Sequence, residues 1–257
     1  MKKLQLILAF LFAGILFWHN NSTVLQAHNK TFVLTAVGDS LTYGVGDSTK
    51  RGGYTYLIKK PLKKATKAKV IVNNYGISGQ TSAQIVKRFQ KDRELQKSLQ
   101  KSKIITITAG GNDVMAALRK HGVDLSAKQL LSYQNQYDAH LNKMIQISRH
   151  FNPHAPIYVF SIYNPYEIYF KKAQGMKAAV KNWNKSTRQI AQDNYRVHYV
   201  DITKLATPKK IVYSKKDKTT TNPLLYKKDY FHPNNQGYRL MTNLLWQQMK
   251  RTKAQWR

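Results

Sequence analysis

From Thr31 onward, short β-branched apolar runs alternate with longer amphipathic stretches, and this alternation narrows the fold more than any other feature of the sequence. The runs are Thr31–Val37, Val70–Tyr75, Ile104–Thr108, Ile157–Ser161 and Val197–Val200. Helical periodicity falls between them, near Tyr54–Lys64, Ser82–Leu99, Ser126–Phe151 and Ala178–Asn194. A last segment, Asn235–Arg251, places Met241, Leu244, Leu245 and Met249 on one helical face. Such an order predicts parallel strands joined by right-handed helical crossovers, an α/β fold. The runs are too uniformly apolar for a sheet with one wet face, so helices are expected on both sides. Ligands of such sheets bind beyond the carboxyl ends of the strands, which is where chemistry should be sought.

The rest of the sequence sets the boundaries. With 257 residues, 42% of them apolar, one large domain is expected rather than two. Met1-Lys2-Lys3 precedes the uncharged apolar stretch Leu4–Trp18, which is shorter than the roughly 20 residues that suit a bilayer span. Leu25-Gln26-Ala27 offers a small-residue cleavage site. Residues 1–30 therefore read as a signal peptide or an N-terminal membrane anchor, with residues 31–257 forming the domain proper. Either reading puts that domain outside the cytoplasmic membrane, extracellular or at the cell surface. There is no cysteine, so disulfides, thiol catalysis and cysteine metal sites are excluded.

The net charge of +31 predicts attraction to anionic partners such as lipid headgroups or phosphate-rich cell-wall polymers. The lysines are dispersed, with the densest region at Lys209–Lys228, and no nucleic-acid recognition motif accompanies them. No specific nucleic acid is expected. The twelve acids are scarce enough for their positions to carry information.

Three of the strand candidates end in reactive sequence. Gly38-Asp39-Ser40-Leu41 follows the first. Seen alone, it fits a helix N-cap as well as an exposed nucleophile, because Asp and Ser both accept from free helix N–H groups. It is not a Gly-x-Ser-x-Gly elbow, since Thr42 stands in the second glycine position. The stretch around Gly76-Ile77-Ser78-Gly79-Gln80-Thr81 follows the second strand, and its glycines would let backbone N–H groups approach a ligand. Ala109-Gly110-Gly111-Asn112-Asp113 follows the third, and Asn112 can offer an amide donor to an oxyanion or simply begin a helix.

Near the C-terminus stands Asp229-Tyr230-Phe231-His232-Pro233. Pro233 keeps His232 out of helical geometry, and an aspartate three residues earlier can bind one imidazole nitrogen while leaving the other free as a base. Of the other histidines, His19 and His28 fall in the leader region, and His121, His140, His150, His154 and His198 read as surface or packing positions. No second histidine or carboxylate cluster has metal-ligand spacing, so neither metal nor cofactor is expected.

Taken in order, "GDSLTYG" at 38–44, "NYGISGQT" at 74–81, "GGND" at 110–113 and "DYFH" at 229–232 resemble the four blocks of the SGNH hydrolase, or GDSL-type lipase/esterase, superfamily. The resemblance spans about Phe32 to Arg251 and implies a three-layer α/β/α, flavodoxin-like doubly wound parallel sheet of about five strands. It implies Ser40 as nucleophile, His232 as general base and Asp229 as its orienting partner. The backbone N–H of Ser40, with Gly79 and Asn112, would form the oxyanion hole, and Asp39 and Asp113 would support these blocks. The leader is similar to that of exported members from Gram-positive bacteria.

The activity implied is hydrolysis of carboxylic esters of lipids or acylated glycans, through an acyl-serine and without cofactor. The same triad would serve an acyltransferase. A non-catalytic module that binds anionic envelope polymers is the reading the charge alone would favour. The tyrosine-rich segment Tyr163–Met176 suggests an aromatic lip for substrate, from Tyr163, Tyr166, Tyr169 and Phe170, or aromatics packed on a neighbouring helix. The Lys209–Lys228 stretch leads into the Asp229–His232 block and would guide an anionic substrate there or remain solvated.

Overall fold

The computed structural model describes residues 30–122, 127–169, 174–208, 211–214 and 219–257. In chain order the elements begin with β1 (Thr31–Gly38), the short helices α1 (Ser40–Tyr43) and α2 (Tyr54–Leu57), α3 (Lys59–Thr66) and β2 (Lys69–Gly76). Next come α4 (Ser82–Lys91), α5 (Arg93–Lys101), β3 (Ile104–Thr108), α6 (Gly111–His121) and α7 (Ala127–Phe151). The chain continues with β4 (Ile157–Phe160), α8 (Gln174–Asp193), β5 (Val197–Val200), the short antiparallel strands β6 (Val212–Ser214) and β7 (Thr219–Thr221), and α9 (Asn235–Arg251). Among the described residues, no helix is long and apolar enough to cross a membrane.

The five main strands are all parallel and lie in the order β2–β1–β3–β4–β5. This is the doubly wound order in which the strand sequence reverses beside β1, opening a crevice at the carboxyl ends of β1 and β3. Both faces of the sheet are covered, as the uniformly apolar runs require. Along β3 and β4 successive side chains alternate between two cores. Ile105, Ile107, Ile157 and Val159 enter one core with Ile85, Phe89, Leu141 and Trp183 of the α4–α8 layer. Ile104, Tyr158 and Phe160 enter the other with Tyr54, Ile58, Leu62 and α9. The expected α9 face is realised: Met241, Leu245 and Met249 are fully buried, and Leu244 packs against them at the margin.

Three elements differ from the sequence expectation. The stretch 82–99 is two helices, because Asp92 leaves helical geometry (φ −84°, ψ 101°) and caps α5 by accepting from Leu95 N. The amphipathic period runs on across this break, which is why periodicity alone does not reveal it. The Tyr54–Lys64 segment likewise divides at Ile58 into α2 and α3. The antiparallel β6–β7 pair, within the lysine-rich region, has no counterpart in the expected elements.

Candidate active site

Ser40 is the first residue of α1, directly beyond the end of β1. Gly38 permits the turn into it, because a Cβ there would overlap both the hydroxyl and the carbonyl of Thr108 on the neighbouring strand. Asp39 is the N-cap, its carboxylate accepting from Leu41 N at 3.0 Å. The same carboxylate accepts from the Thr108 hydroxyl at 2.8 Å, while Asp39 N donates back to Thr108 Oγ1 at 3.2 Å. From Thr108 a buried chain of hydroxyls continues through Thr42, Tyr54 and Thr106 at 2.8, 3.0 and 3.0 Å. Burial pushes the Asp39 carboxyl above its ordinary pKa, against the pull of the Thr108 and Leu41 hydrogen bonds. Ser40 is thus both part of a capped helix start and held at a fixed point over the crevice.

His232 reaches the same point from 192 positions along the chain. Its Nε2 lies 2.9 Å from Ser40 Oγ, and its Nδ1 lies 2.7 Å from Asp229 Oδ2. Asp229 Oδ1 also accepts from the backbone N–H of Phe231 (2.9 Å) and of His232 (3.1 Å), so the carboxylate curls around its own loop. Tyr230 makes that curl by adopting φ 51°, a left-handed conformation costing a non-glycine residue on the order of 1–2 kcal/mol. Burial raises the Asp229 pKa, but the hydrogen bonds from the imidazole and the two backbone N–H groups outweigh it, and the net shift is downward. Asp229 therefore stays ionised, accepts Nδ1–H, and leaves the Nε2 lone pair directed at the Ser40 hydroxyl. Asn234 fixes the loop's exit, capping α9 through Gln236 N and Gly237 N and donating to the carbonyls of Pro223 and Leu225.

The two remaining blocks close the crevice. Gly79 has φ 83° with open space beside it, and neither its N–H nor that of Ser40 donates to an acceptor among the described residues. Asn112, in the first turn of α6, lines the cleft with Ser40 and donates one amide hydrogen to Gln80 O at 2.8 Å. Asp113 grips the same loop from the other side. Its carboxylate accepts from Ser82 N (2.9 Å) and Ser82 Oγ (2.6 Å), and Ser82 Oγ in turn lies 2.8 Å from His140 Nδ1. With its own hydrogen given to Asp113, Ser82 Oγ accepts from Nδ1–H of His140. All of the expected blocks thus converge: Ser40, His232 and Asp229 in one hydrogen-bonded line, with Gly79 on the loop after β2 and Asn112 in the adjoining first turn of α6.

The aromatic segment after β4 meets both the cleft and the catalytic loop. Tyr163 lines the cleft, yet its hydroxyl is buried and donates to Phe231 O at 2.6 Å. Tyr166 packs near Phe231 (ring centroids 6.3 Å apart) and Tyr169 meets Tyr230 edge-on at 6.2 Å. These rings brace the Asp229–His232 loop, and Tyr163 also packs against the core shared by α2 and α9. Phe170 lies outside the described residues, as do residues 1–29, 209–210 and 215–218.

Sequence reasoning did not find the roles of Thr108, Ser82 and His140, and it named Tyr163 for the cleft without its bond to the Phe231 carbonyl. Their partners are 69, 31, 58 and 68 positions away, and no local pattern announces such pairings. Roomier clefts, of about 400 and 530 Å3, lie along β5 and α8, but neither holds a hydroxyl paired with an imidazole. Among the described residues, no group of three or more His, Cys, Asp or Glu side chains has the arrangement of a metal site.

A doubly wound sheet with a Ser–His–Asp line at the carboxyl end of its first strand defines a class of serine hydrolases. The chain belongs to the GDSL-like Lipase/Acylhydrolase family, whose model matches residues 36–240. Family membership makes it a hydrolase of the esterase/lipase kind. It is 28% identical over 223 residues to the uncharacterized protein YpmR of Bacillus subtilis, covering 85% of this chain and 82% of that one. It is 24% identical over 174 residues to the spore germination lipase LipC of Bacillus licheniformis, covering 65% of this chain and 82% of that one. In fold it is similar to the lipase Lip_vut3 from a goat rumen metagenome, with a TM-score of 0.67 at 20% identity over 84% of this chain and 96% of that chain. A variant of Axe2, an acetyl xylan esterase from Geobacillus stearothermophilus, gives a TM-score of 0.60 at 19% identity over 87% and 96% of the two chains. The SGNH hydrolase fold is thereby established.

Proposed function

We propose that this protein is an exported serine ester hydrolase that cleaves carboxylic esters of lipids or acylated glycans through an acyl-serine intermediate. The observation that carries the reading is the 2.9 Å approach of His232 Nε2 to Ser40 Oγ, with Asp229 on the opposite nitrogen. His232 takes the Ser40 proton as Oγ attacks the ester carbonyl, and Asp229 stabilises the imidazolium that forms. The oxyanion is held by the N–H groups of Ser40 and Gly79 and the free amide hydrogen of Asn112. Collapse of the tetrahedral adduct returns the proton from His232 to the departing alcohol and leaves Ser40 acylated. Water, deprotonated by His232, attacks the acyl carbonyl, and a second collapse releases the acid and restores the serine. The cycle closes with water alone.

The substrate class rests on two supports. The cleft wall by Ser40 is built from Leu41, Ile162, Tyr163 and Phe231, which suits an acyl group or the face of a sugar ring. Relatives and fold neighbours carry the names of a spore germination lipase and an acetyl xylan esterase, one on each side of that choice. We assign residues 1–30 to an export signal or anchor and residues 31–257 to the hydrolase domain, which places the enzyme outside the cell or at its surface. Turnover of p-nitrophenyl esters from acetate to decanoate by wild type and Ser40→Ala tests the reading. Activity in the wild type that vanishes in the variant supports it. No activity at any chain length, or undiminished activity in the variant, overturns it. Product analysis with a sugar alcohol present separates hydrolysis from transfer.

A further inference from the structure

The recess beside Ser40 is small. It holds about 30 Å3 and is lined by Ala109 just past β3, by Ser161 and Ile162 just past β4, and by Phe231 of the catalytic loop. One water needs on the order of 10–15 Å3 of such space, so the recess takes about two groups of that size. Ser40 and Asn112 stand at its edge, and its lining among the described residues does not include His232.

That lining decides which part of an ester the recess receives. In the tetrahedral adduct, the Ser40 oxygen is bonded to a carbon with three other substituents. The oxyanion turns to the donors at Ser40, Gly79 and Asn112, and the leaving oxygen must lie by His232 Nε2 to be protonated. The acyl substituent takes the remaining direction. The recess, which adjoins Ser40 and Asn112 without the imidazole, is the space that meets it.

Its far wall is held against swelling, because three consecutive residues are each pinned from a different part of the chain. Ser161 Oγ accepts from Ile202 N at 2.8 Å. The β4–β5 ladder ends there, with Ser161 N donating to Val200 O, and Ile162 is one residue beyond it. Asn184 of α8 takes the place of a neighbouring strand. Its Oδ1 accepts from Ile162 N at 2.9 Å, and its Nδ2 donates to Ile162 O, also at 2.9 Å. Tyr163 then donates to Phe231 O at 2.6 Å, tying this wall to the catalytic loop. Asn184 is buried and follows the fully buried Trp183, so the clamp is itself anchored in the core. Satisfying a buried backbone pair is reason enough for an amide at this place. The residue it holds, however, is the one that bounds the recess.

We propose that this recess is the acyl pocket and that it admits acetyl, or at most propionyl. Ile162 ends the pocket, and Asn184 is the positioning residue that keeps Ile162 in place. This rests on the esterase reading and narrows it, from carboxylic esters in general to O-acetyl esters of an alcohol that stays outside the recess. The acetyl group passes from that alcohol to Ser40 Oγ and then to water. One water is consumed, and the free alcohol and acetate leave. A fatty acyl chain has no room in a space of about 30 Å3.

Chain-length profiles test the assignment. The ratio kcat/KM is measured on p-nitrophenyl acetate, propionate, butyrate, hexanoate and octanoate for wild type, Ile162→Ala and Asn184→Ala, with melting curves to establish that each is folded. Wild type should prefer acetate and lose about tenfold per methylene beyond propionate, the value of one misplaced CH2 in a closed pocket. Ile162→Ala should raise the butyrate-to-acetate ratio about tenfold by lengthening the recess. Asn184→Ala should move the same ratio in the same direction by a smaller factor, since it frees the wall without shortening it. A merely structural Asn184 would lower the melting temperature and leave the ratio as it is, which would overturn its role. Should Asn184→Ala not fold, Ile162→Ala still decides the pocket: an unaltered ratio there overturns it. Wild-type activity on butyrate to octanoate that equals or exceeds that on acetate would overturn the proposal while the esterase reading stands. Hydrolysis of none of the five esters would overturn the esterase reading, and the proposal with it.

Discussion

Tyr163 donates its hydroxyl hydrogen to the carbonyl of Phe231 at 2.6 Å, one residue before the imidazole that meets Ser40. Burial pushes the Tyr163 pKa well above the ordinary tyrosine value, so the donor is intact throughout the working range. The bond ties the end of β4 to a loop otherwise pinned mainly by its own turn. Tyr163→Phe keeps the ring in the cleft and removes only that tie. Its kcat on p-nitrophenyl acetate should drop about tenfold, the value of one net hydrogen bond in positioning the base, with KM little changed. A rise in KM at constant kcat would instead make Tyr163 a substrate contact.

Asn112 has two amide hydrogens, and one is spent on Gln80 O. The other is free for a developing oxyanion. Asn112→Ala should lower kcat by about 10²–10³ while leaving KM nearly constant, because an oxyanion donor acts in the transition state. Parallel loss in kcat and in affinity would count against the role.

Ser82 is fully buried and holds both Asp113 and His140. Ser82→Ala leaves the Asp113 carboxylate with one donor fewer and His140 without its acceptor. A stability loss of about 1.5–3 kcal/mol in urea denaturation should accompany a fall in kcat, since the loop bearing Gly79 and the helix start bearing Asn112 are joined here. Lost stability with unaltered kcat would show that this joint does not position the donors.

Asp39 carries a pH signature. Burial raises its folded pKa above the ordinary carboxylate value, despite the opposing bonds from Thr108 and Leu41. Folding therefore favours the protonated form, and the ionised carboxylate costs stability as pH rises through the raised pKa. Asp39→Asn keeps an acceptor for the Leu41 cap and removes that cost. Its melting temperature relative to wild type should rise as pH climbs above the ordinary carboxylate pKa of about 4. A difference that is flat with pH, or that runs the other way, would contradict the assignment.

The central strands β1, β3 and β4 were legible to within about a residue because both their faces are covered, and a doubly covered strand must be apolar along its length. Their order was not readable from the runs themselves, since it depends on which way each crossover turns. The break at Asp92 was hidden because the apolar face of α4 continues in phase into α5. The site was legible at Ser40, Gly79, Asn112, Asp229 and His232 because each stands in a short motif, three of these motifs at strand ends. Thr108 and Tyr163 act through contacts made only in three dimensions. His140 shows the limit most plainly: it looked like a packing residue, and its role is set by Ser82 on another helix.

The central claim is that Ser40 is the nucleophile, and covalent capture tests it most directly. Protein treated with a p-nitrophenyl phosphonate ester should gain one phosphonyl group, localised by peptide mass spectrometry to Ser40. Inactivation should keep pace with labelling, and Ser40→Ala should neither label nor hydrolyse esters. An adduct on another residue, or hydrolysis that survives in Ser40→Ala, would contradict the account.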